Sequence, residues 1–446
     1  MNRQRLKIPI FCIVIVCLSF CVWPPRAHAS KLMRQSTSGV TEGQNAIPEA
    51  DNQAKKDTPA KKSIFSMFKD KDIDFFPIPV FETRPDEGQS YGAMPVVLFS
   101  DKDSKAISVI LALLGQYNSI IKFNGAAMAH YFPRPMDNPE EVLELCFEYA
   151  QKYAREATVH YVNPRFLRKY FFESNFVWLK TPFPRFYGYG AGTVKNNESN
   201  FVARNFIFET TFGYPLVKNL RAGITEKFTT TDVLTRAFPN VADTLTRYGA
   251  LVGVNDSTNL IHRLSVTFDT RPSGIMSTKG TFAEGGYFLS HKALGSDQTF
   301  QGFSLEAIKL IPFFKERTIT ALRFFLQDMY GTGIPFYLQS SLGGPYELRA
   351  FIPNRFTDTS KMILSWEQRI KVLSIKVIGV PCDFYADPFF EAGRVFHHLD
   401  HFDFNNLQPV GGIALRGVVP PNVVGRVDMG FGREGYSIYT MLGYAF

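Results

Sequence analysis

The densest group of potential metal ligands in the sequence is the run His397-His398-Leu399-Asp400-His401. Imidazole and carboxylate groups are common ligands of zinc and other transition metals. Adjacent residues of a strand point to opposite faces, however, so only His397 with His401, or His398 with Asp400, would converge. We therefore favour a polar turn between strands over a metal site, and we expect neither a metal nor another cofactor.

Glycines at alternate positions, Gly188, Gly190 and Gly192, look superficially like a phosphate-binding loop. Such a loop needs a following helix whose N-terminus binds the anion, and no helical pattern follows here. We interpret these glycines as small residues in a curved strand. The common hydrolase, zinc-protease and nucleotide-binding motifs do not occur either, so we do not expect an enzyme. A site assembled from scattered Ser, His and Asp side chains would leave no motif.

The amino terminus, residues 1–29, has the three parts of a secretory signal peptide. A basic segment precedes the apolar residues 8–22, and Ala27-His28-Ala29 forms a small-residue cleavage site. Its removal lowers the Lys+Arg count from 49 to 45, against 41 acidic residues, so nucleic acid is not an expected partner. Of five cysteines only Cys146 and Cys382 would remain, which favours two unpaired thiols over a single disulfide.

The remaining chain divides by composition at about residue 75. Residues 30–74 are polar and poor in apolar side chains, which predicts a disordered periplasmic lead-in. From residue 75 to 446 short alternating runs are separated by Gly, Pro, Asn and Asp. After the signal peptide no apolar run reaches 18 residues, so the chain is not a helical membrane protein. An exported, aromatic-rich chain of this kind is either a large soluble β protein or a transmembrane β-barrel.

Residues 362–371 show the alternation best. Met362, Leu364, Trp366 and Ile370 share one face, whereas Ser365, Glu367, Arg369 and Lys371 share the other. A lipid-facing wall around a polar lumen gives this pattern, and so does a sandwich strand with one wet face. Together with the signal peptide, it predicts an all-β fold: a transmembrane antiparallel barrel. Sixteen strands would use roughly 22 residues each from Gly88 onward, which leaves room for long loops and a wide lumen.

The chain ends on an aromatic residue. Reading back from the end, Phe446, Tyr444, Leu442 and Ile438 fall on one face of a final strand spanning 436–446, and Gly443 falls on the other. A terminal strand of this kind suits capture by strand pairing while a barrel is built. Many soluble sheets also end in an aromatic residue.

The sequence from residue 75 onward resembles the bacterial surface antigen, or BamA/TamA, family of outer-membrane assembly barrels. The resemblance rests on short segments in a characteristic order, namely Phe76-Pro77-Ile78-Pro79-Val80-Phe81, Asp269-Thr270-Arg271, Leu348-Arg349-Ala350-Phe351, Trp366-Glu367-Gln368-Arg369, Phe390-Glu391-Ala392-Gly393-Arg394 and Arg426-Val427-Asp428-Met429-Gly430. The third segment is similar to the Val-Arg-Gly-Phe motif of a loop that enters the lumen in this family.

The resemblance implies that an extracellular loop around residues 343–358 folds inward and is anchored by Leu348, Arg349 and Phe351. It places Glu391 on a lumen-facing strand as the preferred partner of Arg349, with Glu367 second. In the alternative, Arg349 lies on a solvated loop. Ala350 stands where the family has Gly, so a positive φ there would be strained.

The function implied by the resemblance is assistance in inserting, assembling or translocating proteins at the bacterial outer membrane. The expected mechanism is sideways opening of a seam between the first strand, at about 92–99, and the last, weakened by Gly443. Expected partners are outer-membrane lipids, client outer-membrane proteins and a periplasmic partner, because residues 30–71 are too short for the family's receptor (POTRA) domains. A passive channel or structural barrel is the alternative.

Overall fold

The structure is a computed structural model that describes residues 71–84, 88–104, 106–138, 140–272, 277–377, 380–419, 423–442 and 444–446. The proposed signal peptide, most of the lead-in and Gly443 lie outside these residues. The strands, in chain order, are β1 Lys71–Arg84, β2 Gly88–Asp101, β3 Ile107–Asn118, β4 Lys122–Tyr131, β5 Val142–Ala150, β6 Arg155–Phe166, β7 Tyr170–Thr181, β8 Arg185–Phe186, β9 Ser199–Asn200, β10 Val202–Val217, β11 Leu220–Leu234, β12 Ala242–Asp243, β13 Ser257–Asp269, β14 Gly280–Ser290, β15 Phe300–Phe313, β16 Thr318–Tyr330, β17 Ser340–Leu342, β18 Phe356–Asp358, β19 Ser360–Val377, β20 Val380–Phe396, β21 Gln408–Val419, β22 Val423–Gly432 and β23 Gly435–Leu442.

Helical structure in the described residues is confined to single turns in the loops. They are the 3-10 turns Lys195–Asn197, Lys292–Leu294 and Leu399–His401 and the four-residue helix Thr244–Arg247. None of the helices among the residues described has the length and apolar character needed to cross a membrane.

Eighteen of the strands form one antiparallel sheet in which each strand pairs with the next along the chain. The other strands belong to loops: β8, β9 and β12 form a small sheet, and β17 pairs with β18. The all-β antiparallel barrel is therefore confirmed, with 18 strands in place of the 16 expected. One reason is that the sheet starts at Lys71, before the boundary at residue 75, so residues 92–99 belong to the second strand.

The two faces of the wall differ as the alternation predicted. On β19, Leu364 and Trp366 point outward and are exposed, whereas Glu367 and Arg369 point into the lumen and are buried. Strand alternation also places the four longest connections, residues 182–201, 235–256, 331–359 and 397–407, at one end of the barrel, and both ends of the described chain at the other. We call these the long-loop end and the short-turn end.

The first and last strands meet at a seam. Strands β1 and β23 lie side by side, with Cα atoms within 8 Å of one another. In the part of the chain that the structure describes, no ladder of paired residues joins them, whereas β1 pairs with β2 along its whole length and β23 pairs with β22. Among the described residues, ladders join every other pair of neighbouring strands in the 18-stranded sheet.

Candidate functional site: a loop anchored in the lumen

The connection between β16 and β19 carries the β17–β18 hairpin and folds into the lumen. We call its residues 343–358 the inserted loop. Gly343 and Gly344, with φ of 116° and 107°, turn the chain where it leaves β17, in a region of backbone space that favours glycine. The Gly344 N donates to Phe351 O at 2.9 Å and closes the tip, whose residues 342–351 are all buried. The tip is therefore a compact, enclosed element.

Arg349 lies at this tip, and its side chain is completely buried. Its Nε donates to Glu391 Oε1 at 3.0 Å, and its backbone N donates to Glu391 Oε2 at 2.8 Å. Its Nη1 donates to Glu367 Oε2 at 3.1 Å and to Asp428 Oδ2 at 3.3 Å. The guanidinium also stacks 3.5 Å from the ring centre of Phe389. One side chain thus joins the loop to β19, β20 and β22.

Further charged groups surround Arg349 on the lumen face. The buried cluster linked by ion pairs contains four cations and four anions: Arg349, Arg369, Arg416 and Arg426 with Glu367, Asp387, Glu391 and Asp428. Arg416 contacts both Glu367, at 2.7 Å, and Asp387. The formal charges of these eight side chains cancel, and the removal of one member leaves another uncompensated.

Apolar packing completes the tip. Leu348 and Phe351 are buried in one cluster with residues of β16, β19, β20 and β21. The positive φ lies at Leu348, with a value of 55°, and Ala350 is outside the left-handed region, so the alanine introduces no strain of that kind. Close approach is permitted by Gly430 of β22, because a Cβ there would lie 2.6 Å from Arg349 O.

Other contacts fasten the loop at both sides of its tip. Glu347 Oε2 accepts a hydrogen bond from Lys361 Nζ at 2.7 Å. Glu347 Oε1 lies 3.5 Å from Arg323 Nη2, and Arg323 also forms an ion pair with Glu306 of β15. Near the long-loop end, Arg355 forms a two-pronged ion pair with Glu434, its closest N–O distance being 2.6 Å. The loop is therefore tied to strands from β15 to β22.

The last residues of the chain depart from the expected strand. Strand β23 ends at Leu442, and Tyr444 and Phe446 turn into the lumen at the short-turn end. Phe446 packs with lumen-facing residues of β14, β15 and β16, and its main-chain O accepts a hydrogen bond from Arg369 Nη2 at 2.9 Å. The Arg369 guanidinium stacks 3.8 Å from the Tyr444 ring centre. The interpretation of 436–446 as one strand is therefore wrong for its last residues, which gain more burial inside the barrel. We call residues 444–446 the terminal tail.

The two sequence features with superficial chemistry lie in loops. His397–His401 lies in the connection between β20 and β21, where Leu399–His401 form a single 3-10 turn and His398 stacks on Tyr330 at 4.7 Å between ring centres. Gly188 and Gly190 have φ of 91° and 98° in a loop between β8 and β9, so the curved-strand interpretation is wrong. The N of Gly190 donates to Thr357 O at 2.8 Å, which joins this loop to β18.

Sequence reasoning missed much of the buried cluster. Asp387, Arg416, Arg426 and Asp428 received no role, although each occupies a lumen-facing position of a strand. The available signal was alternation: charged residues at every second position of a strand whose other face is apolar must point into the lumen.

Comparison with known proteins establishes the class. A family model described as the Omp85 superfamily domain matches residues 141–409, more than half of the chain, and this chain belongs to the Omp85 superfamily. No curated protein gives a significant match over the chain.

Solved structures resemble the fold at low sequence identity. BamA from Haemophilus ducreyi lacking POTRA domains 1-3 is 14% identical, with a TM-score of 0.51 over 78% of this chain and 75% of that one. CdiB from Acinetobacter baumannii is 8% identical, with a TM-score of 0.41 over 83% of this chain and 59% of that one. CdiB from Escherichia coli is 10% identical, with a TM-score of 0.46 over 83% and 62%. The resemblance to BamA at this identity concerns the fold alone.

Proposed function

We propose that this protein is an outer-membrane barrel that assists the insertion, assembly or translocation of other proteins, and that the seam between β1 and β23 is its working part. The observation that supports the proposal is that, in the part of the chain that the structure describes, these two strands lie side by side and no ladder joins them. Unpaired strand edges present rows of free N–H and C=O groups that can template another strand. A client strand added at the seam would gain backbone hydrogen bonds without any covalent step, so we propose no catalytic residue.

The anchored loop fits this role because it stiffens one side of the seam. Arg349 connects β19, β20 and β22 through Glu367, Glu391 and Asp428. The strands that lead up to β23 therefore form one tied block, while β1 depends on its pairing with β2. Opening would then occur at the seam and not at another pair of strands.

The expected surroundings follow from the family and the outward apolar face. We propose the bacterial outer membrane as the location, with its lipids around the wall. Client outer-membrane proteins are the proposed substrates, and a periplasmic partner would deliver them.

Cross-linking tests the seam directly. With Cys146 and Cys382 replaced by Ser, paired cysteines are placed at Phe75 of β1 and at Ile438 or Thr440 of β23, and the disulfide is formed in cells. A cross-link between Met429 and Ile438, which already face each other across β22 and β23, is the matched control. We expect only the seam disulfide to lower outer-membrane protein levels, reversibly on reduction. Unchanged levels with a complete seam cross-link would exclude the proposal.

A passive channel is the second candidate, because the lumen contains a polar cavity on the side away from the inserted loop. A cavity there is lined by polar groups of β7 to β14, among them Glu173, Glu209, Arg221 and Arg263. Single-channel recording separates the candidates: a loop-plugged assembly barrel conducts weakly and erratically, whereas steady conductance would favour the channel.

A further inference from the structure

Three cationic residues lie side by side on the outer face of the wall at the long-loop end. Arg155 of β6 faces Lys180 of β7 in the ladder, and Lys180 faces Arg204 of β10. Strand alternation places them on the outside, since Leu179 and Thr181, on either side of Lys180, are buried. We call Arg155, Lys180 and Arg204 the basic row.

The basic row is only partly neutralised by the protein. Directly opposed residues of antiparallel strands have Cβ atoms about 5 Å apart, so like charges at such positions repel one another. Arg204 forms an ion pair with Asp232, which faces it on β11. Among the residues that the structure describes, Arg155 and Lys180 have no carboxylate partner, and Arg155 lies over the Tyr149 ring, 5.1 Å from its centre. Two positive charges are therefore left uncompensated next to each other.

The basic row marks the upper boundary of an apolar band. The next outward residues toward the middle of the barrel are Ala157, Trp178 and Phe206, which are also neighbours in the ladder. From Tyr170 to Lys180, β7 rises roughly 25 Å along the barrel axis at the usual rise and tilt of such strands, which is the height of the apolar band in outer-membrane barrels. Long loops are extracellular in these barrels, so the row lies at the level of the outer-leaflet headgroups.

We propose that the basic row binds the phosphate monoester of an outer-leaflet lipid, whose acyl chains pack on the aromatic residues below the row. A phosphate monoester carries about 1.5–2 negative charges at neutral pH and three acceptor oxygens, which matches the two uncompensated cations, whereas a phosphodiester carries a single charge. The Arg155 guanidinium can bind two of these oxygens at once, and the Lys180 ammonium can bind the third. The inference rests on the proposed location in the outer membrane, but it does not require the seam to open.

Quenching of tryptophan fluorescence by brominated lipids tests the site, because Trp178 lies directly below the row. Apart from Trp23 of the predicted signal peptide, the chain contains only Trp178 and Trp366, so Trp366→Phe leaves one reporter. This variant is placed in phosphatidylcholine vesicles in which phosphatidic acid, phosphatidylglycerol or phosphatidylcholine is brominated near the headgroup. We expect phosphatidic acid, the monoester, to quench Trp178 at about a tenfold lower fraction than phosphatidylcholine, with phosphatidylglycerol between them.

A second reporter and two charge variants provide the controls. In Trp178→Phe the remaining Trp366, which lies between Leu322 and Phe390 in the ladder, should show no preference among the lipids.

Removal of charge from the row should remove the preference. With Trp178 as the reporter, Arg155→Gln combined with Lys180→Gln should bring phosphatidic acid to within about twofold of phosphatidylcholine, while the heat-modifiable mobility of the folded barrel is retained. Lys169→Gln combined with Lys309→Gln removes the same charge from exposed side chains nearer the short-turn end and should leave the preference unchanged.

The outcomes separate this inference from the proposed function. Equal quenching of Trp178 by the three lipids would overturn the lipid site and leave the lipid-exposed wall intact, whereas no quenching by any of them would contradict the membrane location as well. An excess of inorganic phosphate at constant ionic strength should not change the preference, because free phosphate lacks the acyl chains that concentrate a lipid at the wall. Loss of the preference on its addition would assign the row to a soluble anion and would also overturn the proposal.

Discussion

Arg349 shows why a buried charge can be an effective fastener for a loop. Its guanidinium and backbone N together make hydrogen bonds to three carboxylates on three strands. The two carboxylate oxygens of Glu391 accept hydrogen bonds from both the Nε and the backbone N of Arg349. The desolvation of these charges offsets much of their attraction. The ion pairs of Arg349 therefore fix the position of the inserted loop more than they add to the net stability of the fold.

Removal of the Arg349 side chain should be strongly destabilising. Arg349→Ala leaves Glu391, Glu367 and Asp428 with a buried excess of negative charge, and we expect a loss of about 3–5 kcal/mol in the free energy of unfolding. Denaturant unfolding in lipid vesicles, followed by tryptophan fluorescence, measures this loss.

Two further variants define what Arg349 provides. Arg349→Lys keeps the charge but cannot form the forked contacts, so its stability should lie between those of the alanine variant and the unmodified protein. Lys279→Ala breaks an ion pair with Glu316 whose side chains are 61% and 46% exposed, and it should change stability by less than about 1 kcal/mol. If Arg349→Ala unfolded at the same denaturant concentration as Lys279→Ala, the anchoring role would be wrong.

At the scale of elements, the terminal tail and the inserted loop are connected through one side chain. Arg369 pairs with Glu367, at 3.0 Å, and donates to the main-chain O of Phe446. Glu367 in turn accepts from Arg349. The terminal tail, at the short-turn end of the barrel, therefore contacts the same charged cluster that holds the inserted loop.

The buried ring of Phe446 should contribute measurably to stability. Phe446→Ala removes its packing against β14, β15 and β16, and we expect a loss of about 3 kcal/mol in the free energy of unfolding. Phe404→Ala is the control, because that ring is 80% exposed in a loop and its removal should have little effect. Equal unfolding midpoints for the two variants would show that the tail is not held inside the barrel.

A strand can be predicted from the sequence when its two faces contact surroundings of different polarity. The wall strands were predictable because lipid and lumen impose opposite polarity on alternate residues, as in β19. Strand β1 was missed because it begins inside the polar segment 30–74, which predicts disorder, and the first strand was placed at 92–99. The inward turn of the tail was not predictable, since alternation continues through Phe446 and the burial comes from distant strands.

The candidate site could be predicted only in part. The resemblance supplied Arg349, Glu391 and Glu367, because they lie in recognisable segments. Asp428 also lies in such a segment, but nothing local shows that β22 passes under the loop tip. That approach depends on Gly430 and on the curvature of the whole wall.

At the scale of the whole molecule, two sides of the barrel differ. On the tied side the inserted loop and the terminal tail fasten the strands to one another through the lumen, whereas the other side borders a polar cavity. The inserted loop and the terminal tail occupy the lumen next to β14–β23, and the polar cavity lies next to β7–β14. The seam lies at one boundary of the tied side. Local stability should follow this division, because opening of a region requires loss of the contacts that hold it.

Hydrogen exchange in lipid nanodiscs should show the division. In an antiparallel ladder, alternate N–H groups of a strand point to each neighbour, so about half of those in β1 and β23 face the seam, across which no ladder joins the residues that the structure describes. We expect peptides covering 71–84 and 435–442 to exchange about half of their amides within minutes, while 300–313 of β15, paired on both sides, stays protected. Arg349→Ala should then speed exchange in β19–β22 and leave β15 unchanged. If β1 and β23 were protected as well as β15, a continuous ladder would close the wall, and a client strand would have no free edge to join.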